Sequence, residues 1–114
     1  MWALRDAVES IEIPNRAPVN CARAIEALRV LMTPSTNDRK MAWGRFRDEL
    51  RVSDAYLRFI TDHSTGYRHG DRSFIDGPTT TEIKRRTWTI MNRFIEYRLR
   101  GSSPLPVGDF PLLK

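Results

Sequence analysis

Arg68 and His69 stand side by side in the stretch Thr65-Gly-Tyr-Arg-His-Gly-Asp-Arg-Ser-Phe74. An arginine presents a planar fork that fits phosphate or carboxylate, and a histidine takes or gives a proton near neutral pH. Gly66 and Gly70 bracket the pair, so the backbone can turn tightly and expose its N–H groups. Tyr67 offers a ring for base stacking, Asp71 can orient either neighbour, and Arg72 adds a second cation. The same residues also suit a plain loop: Arg68 pairs with Asp71 or a helix-end carbonyl, His69 satisfies a buried carbonyl, and the glycines serve caps. A second pair, Arg58 and His63, is separated by Phe59-Ile-Thr-Asp62. Residues five apart on a helix lie about 140° apart around its axis, so these two share a face only if the helix ends before His63. A Ser64, His63 or His69, and Asp71 set can be written too, but residues this close in sequence serve turns more often than triads.

Metal and cofactor chemistry is not expected. Two histidines and one cysteine form no HExxH or CxxC spacing, and no Walker or dinucleotide-type glycine loop is present.

The elements that must hold these residues read as helices. Trp2, Leu4 and Val8 give a short helical piece over 2–12, interrupted by Ile13-Pro-Asn-Arg-Ala-Pro18. Cys21, Ile25, Leu28 and Leu31/Met32 recur at three-to-four spacing and predict a helix over 17–32. A turn at 33–38, rich in capping residues, precedes a helix from about 37 to 51 with Trp43, Phe46 and Leu50 inward and Arg39, Lys40, Arg45, Arg47 and Arg51 in water. Ser53 caps the next helix, with Tyr56, Leu57 and Ile60 inward and Gly66 as its terminator. Thr79 and Glu82 have capping-box spacing for a last helix over about 80–100, with the stripe Ile83, Trp88 or Thr87, Ile90/Met91, Phe94/Ile95 and Leu99, closed by Gly101. The proline-rich segment 102–114 is not helical, but Leu105, Val107, Phe110, Leu112 and Leu113 should fold back. The expected architecture is all-α: one domain over 1–114, an antiparallel bundle of four to five helices with core 17–101 and an irregular C-terminal tail. Trp43, Phe46, Leu57, Ile60, Ile90 and Phe94 should share one core.

The chain has 114 residues and a net charge of +5, a pI near 10.0, 40% hydrophobic and 29% charged residues. That is the size and composition of one globular domain, and the charge favours anionic partners. No apolar run reaches the ~18 residues of a membrane span, and the N-terminus lacks the basic-then-apolar pattern of a secretory signal. A single cysteine fits a reducing compartment, so a cytoplasmic protein is expected. Residues 82–100 hold six bases against two acids. Arg85, Arg86 and Arg93 fall there, and with Tyr67 and Arg72 they are the expected phosphate and base contacts.

The helix Asn20-Cys-Ala-Arg-Ala-Ile-Glu-Ala-Leu-Arg-Val-Leu-Met32, then Ala42-Trp-Gly-Arg-Phe-Arg-Asp-Glu-Leu-Arg-Val-Ser-Asp-Ala-Tyr-Leu-Arg-Phe-Ile-Thr61, then Ser64–Arg72 and the long Arg85–Gly101 helix, resemble the layout of the HEPN superfamily. These are small all-α domains of bacterial defence, toxin–antitoxin and RNA-processing proteins. The resemblance covers most of residues 17–101 and is one of layout. It implies an RNA-binding domain, with a metal-independent endoribonuclease as one form. Family members carry an arginine, a polar residue and a histidine, with four to six residues between the arginine and the histidine, in a cleft that two protomers typically share. Here Arg68 and His69 are adjacent, whereas Arg58 and His63 have the family spacing with Phe59 where a polar residue is usual. In a nuclease, His69 or His63 would serve as general acid or base and Arg68 or Arg58 would hold the scissile phosphate. The competing expectation is a non-catalytic helical module that dimerises or docks onto a larger bacterial protein.

Overall fold

In the computed structural model the backbone is described for residues 17–34, 37–68 and 77–114, and side chains for 20–34, 37–63 and 77–114. The expected helix over 2–12 and the loop residues His69 and Arg72 lie outside these. Four helices occur among the described residues: α1 (Ala17–Met32), α2 (Arg39–Leu50), α3 (Asp54–Arg68) and α4 (Gly77–Leu99). No strand occurs among them, only an isolated parallel bridge between Val52 and Leu113.

Local chemistry sets the helix ends. The Asp38 carboxylate accepts from the Met41 N–H at 3.1 Å and caps α2, and the Ser53 hydroxyl accepts from the Tyr56 N–H at 3.0 Å and caps α3. Between them the chain reverses in three residues. Arg51 takes the left-handed conformation, φ 60°, while the Val52 N–H donates to the Arg47 carbonyl at 2.9 Å. A non-glycine residue in this region costs on the order of 1 kcal/mol. At the end of α4, Gly101 has φ 80° and the Ser102 N–H reaches back to the Tyr97 carbonyl at 2.9 Å.

Two boundaries differ from the expected ones. Helix α3 runs through Gly66 to Arg68, so Gly66 sits within the helix and does not end it. Helix α4 begins at Gly77, with Pro78 in its first turn where its missing N–H costs nothing. Thr79 and Glu82 therefore lie inside α4, and Glu82 faces the arginines one turn on instead of closing a capping box.

Helix α1 packs on α2, α3 and α4. Cys21, Ala24, Ile25 and Leu28 are fully buried on it, and the small Ala24 permits close approach. Phe46, Leu57, Ile60, Ile90 and Phe94 enter the same core, while Trp43 packs against its edge and stays partly open. On α4 the buried stripe is Ile83, Thr87, Ile90, Met91, Phe94 and Tyr97. Thr87 takes the inward position by donating its hydroxyl to the Ile83 carbonyl at 2.8 Å, so Trp88 and Ile95 turn outward and Leu99 is 77% exposed. The C-terminal segment folds back through Leu105, which is buried, and through Phe110 and Leu113. Val107 and Leu112 stay exposed. No helix among the described residues is long and apolar enough to cross a membrane.

Candidate anion-binding groove

Helices α1, α2 and α3 enclose a groove of about 750 Å³. Arg23 and Glu26 come from α1, Arg39, Lys40, Trp43 and Arg47 from α2, and Asp54, Leu57, Arg58 and Thr61 from α3. Five cations thus face two carboxylates. Each carboxylate draws arginines from more than one place. Glu26 Oε1 lies 2.6 Å from Arg29 and 3.2 Å from Arg39, and Asp54 lies 2.8 Å from Arg58 and 3.6 Å from Arg47. Apart from Arg29 these side chains are about a third or more exposed, so each of those pairs is worth only about 0–1 kcal/mol and can exchange for another anion. Arg23 and Lys40 have no carboxylate partner among the described residues.

Arg39 and Lys40 also occupy the first turn of α2, which holds no acid beyond the Asp38 cap. Cations there oppose the helix dipole. A local cost of this kind is common where a site needs positive charge more than the helix does.

The expected arginines of α4 have partners within the fold, although Arg85 is 60% exposed and its pair with Glu82 is as exchangeable as those of the groove. Arg85 and Arg86 both donate to Glu82, and these bonds hold its carboxyl down at about 2. Arg86 also lies over the rings of Tyr56 and Phe59, at 4.6 and 4.1 Å, and donates to the Tyr56 carbonyl at 3.3 Å. Arg93 is 8% exposed, and it donates to the carbonyls of Leu50 at 3.1 Å, Arg51 at 3.0 Å and Pro111 at 2.8 Å, so three of its five donors are used within the fold. Burial pushes its ionisation down from the usual arginine value.

Of the two Arg/His pairs, Arg58 lines the groove whereas His63 does not. The His63 ring stacks tilted on Phe59 at 4.6 Å, and its Nδ1 lies 2.5 Å from the Phe59 carbonyl, which selects the tautomer that donates from Nδ1. Because α3 continues to Arg68, the two residues stay on different faces, as the helical angle requires. Arg68 is the last residue of α3, the side chains of Tyr67 and Arg68 are not among those described, and His69 and Arg72 lie beyond the described residues.

Sequence reasoning placed Arg39, Lys40 and Arg47 on a wet face and Trp43 in the core. The signal for the groove was present nonetheless: Arg39/Lys40, Trp43 and Arg47 recur at three-to-four spacing and form a basic–aromatic–basic stripe on one face of α2.

Residues 1–99 match the model of a family described as the C-terminal domain of DUF8168, a domain of unknown function. The chain belongs to this DUF8168 C-terminal domain family. All three helices that line the groove fall inside the matched span, so the groove is part of the DUF8168 C-terminal domain, whereas the strap formed by 100–114 is not in that span. No curated protein and no solved structure matches the chain.

Proposed function

We propose that the domain binds RNA through the groove between α1, α2 and α3. The supporting observation is the lining itself: Arg23, Arg39, Lys40, Arg47 and Arg58 around Trp43, with Glu26 and Asp54 as the opposing charges. Cations at several heights along a groove neutralise successive phosphates, and an aromatic side chain among them meets a base. The cytoplasm suits this role, and the buried free thiol of Cys21 fits a reducing compartment.

Binding is the better-supported form of the function. Cleavage of the kind the HEPN resemblance implies needs an arginine and a histidine to converge. Arg58 and His63 diverge, which leaves Arg68 and His69 as the pair for a nuclease. A second reading, a dimerisation or docking module, draws on the outer face of α4. There Trp88, Ile95 and Leu99 are exposed at spacings of seven and four.

The test titrates a short labelled RNA at two or more salt concentrations. The double variant Arg23→Ala/Lys40→Ala should lose affinity at low salt and reduce the magnitude of the log–log salt slope by about 1–2, as expected for lost phosphate contacts. Equal affinity and slope in the variant, or no binding by the unaltered protein at low salt, refutes the groove as the site. Cleavage is scored in the same tubes with His69→Ala and His63→Ala.

A further inference from the structure

Among the groove's residues Trp43 is held differently from the rest. Its ring packs edge-to-face with that of Phe46, with centroids 5.5 Å apart and planes at 78°. The Arg29 guanidinium lies over the ring at 5.3 Å from its centroid. Arg29 is itself buried, does not line the groove, and is fixed by Glu26 at 2.6 Å. Arg29 thus covers one face of the ring, Phe46 packs against it as well, and the side chain borders the groove.

A ring held this way is a preformed stacking platform. Its orientation is already fixed, so a base that stacks on it meets little further ordering cost. The Arg29 cation draws on the negative charge of the face it covers. The flanking cations Arg39, Lys40 and Arg47 lie on the same helix at three-to-four spacing, where the phosphates on either side of a stacked base would fall. At about 750 Å³ the groove has room for a nucleotide or two. A base inside a duplex is stacked on its neighbours and does not offer its face to the protein.

We infer that Trp43 is the specificity-determining residue of the groove and selects single-stranded RNA by stacking an unpaired base. This rests on the RNA-binding reading and adds the strand class and the residue that sets it.

The experiment compares one short labelled RNA strand with the same strand annealed to its complement, on the full chain, for the unaltered protein, Trp43→Leu and Trp43→Phe. The expected result is a preference for the single strand of about tenfold or more. Trp43→Leu should lose about tenfold in single-strand affinity with little change for the duplex, and Trp43→Phe should keep most of it. If the unaltered protein binds both forms equally and Trp43→Leu changes neither, while Arg23→Ala/Lys40→Ala still weakens both, the stacking inference is overturned and the groove reading stands. If the unaltered protein binds neither form, the groove reading falls and this inference with it. Should Trp43→Leu lose its helical circular dichroism, a Trp2→Phe/Trp88→Phe protein decides, because Trp43 is then the only indole. Single-stranded RNA should quench its emission, and binding without quenching overturns the inference.

Discussion

Replacing Arg93 by methionine would remove a charged fork from the interior while keeping most of its aliphatic volume. Three backbone carbonyls lose their donor: Leu50, Arg51 and Pro111. The cation also leaves the ring of Phe110, 5.5 Å away. Hydrogen bonds from a charged donor contribute about 1.5–3 kcal/mol each, but the Arg51 and Pro111 carbonyls are partly open and can be rehydrated. Buried methionine recovers some apolar contact. A net loss of about 3 kcal/mol is expected, a large share of the ~5–15 kcal/mol that holds a typical domain. For a chain of this size that lowers the midpoint by on the order of 10 °C. Urea unfolding followed by circular dichroism measures it, with the slope checked so that the change is one of stability. A variant within about 0.5 kcal/mol of the parent would refute the structural role, since surface changes fall in that range. A second arm separates this role from phosphate contact. At a temperature where both proteins are folded, RNA affinity and its salt slope should be unchanged; a slope smaller by about one would put Arg93 on a phosphate after all.

Two further outcomes follow from the ion pairs. Asp54→Asn removes the anion on which Arg58 and Arg47 converge, so RNA affinity should rise several-fold at low salt, whereas Glu96→Gln, which lies on α4 away from the groove and frees Arg100 just beyond that helix, should leave it nearly unchanged; a weaker Asp54→Asn complex would mean that Asp54 positions the arginines for the ligand. Glu82 is depressed from 4.5 to about 2 by Arg85 and Arg86, so its contribution is fully present above pH 4.5 and is lost as pH falls through about 2. The stability gap between the parent and Glu82→Gln should therefore narrow from pH 4.5 downward, and a gap of constant width in acid unfolding curves contradicts that assignment.

The helices were legible because their buried faces repeat cleanly: Cys21, Ile25 and Leu28 on α1, Phe46 and Leu50 on α2, Leu57 and Ile60 on α3. Periodicity failed where two neighbours compete for one position. Thr87 wins over Trp88 because its hydroxyl finds a carbonyl within its own helix, which no hydrophobicity scale registers. Gly66 looked like a terminator, yet glycine inside a helix costs only about 1 kcal/mol and α3 runs on past it. The site was harder still. The linear charge surplus at 82–100 pointed to α4, but sequence does not show that Glu82 holds two of those arginines and that three carbonyls hold Arg93. The groove depends on α1 meeting α2 and α3, a long-range packing fact, and only the α2 stripe was open to inspection beforehand.

The three-residue corner between α2 and α3 has a consequence for the kinetics of ligand exchange. Arg47 and Asp54 stand on either side of it and belong to opposite walls of the groove. The corner is tied at each step: Val52 N–H to the Arg47 carbonyl, Ser53 N–H to the Leu113 carbonyl, and Leu113 N–H to the Arg51 carbonyl, all within 2.9 Å. Residue Leu113 thus acts as a splint laid across the joint, and the spacing of the two walls is preset before any ligand arrives. Association should then be limited by electrostatic encounter, fast at low ionic strength and slowing smoothly with salt, in a single kinetic phase with no slower step for the walls to open.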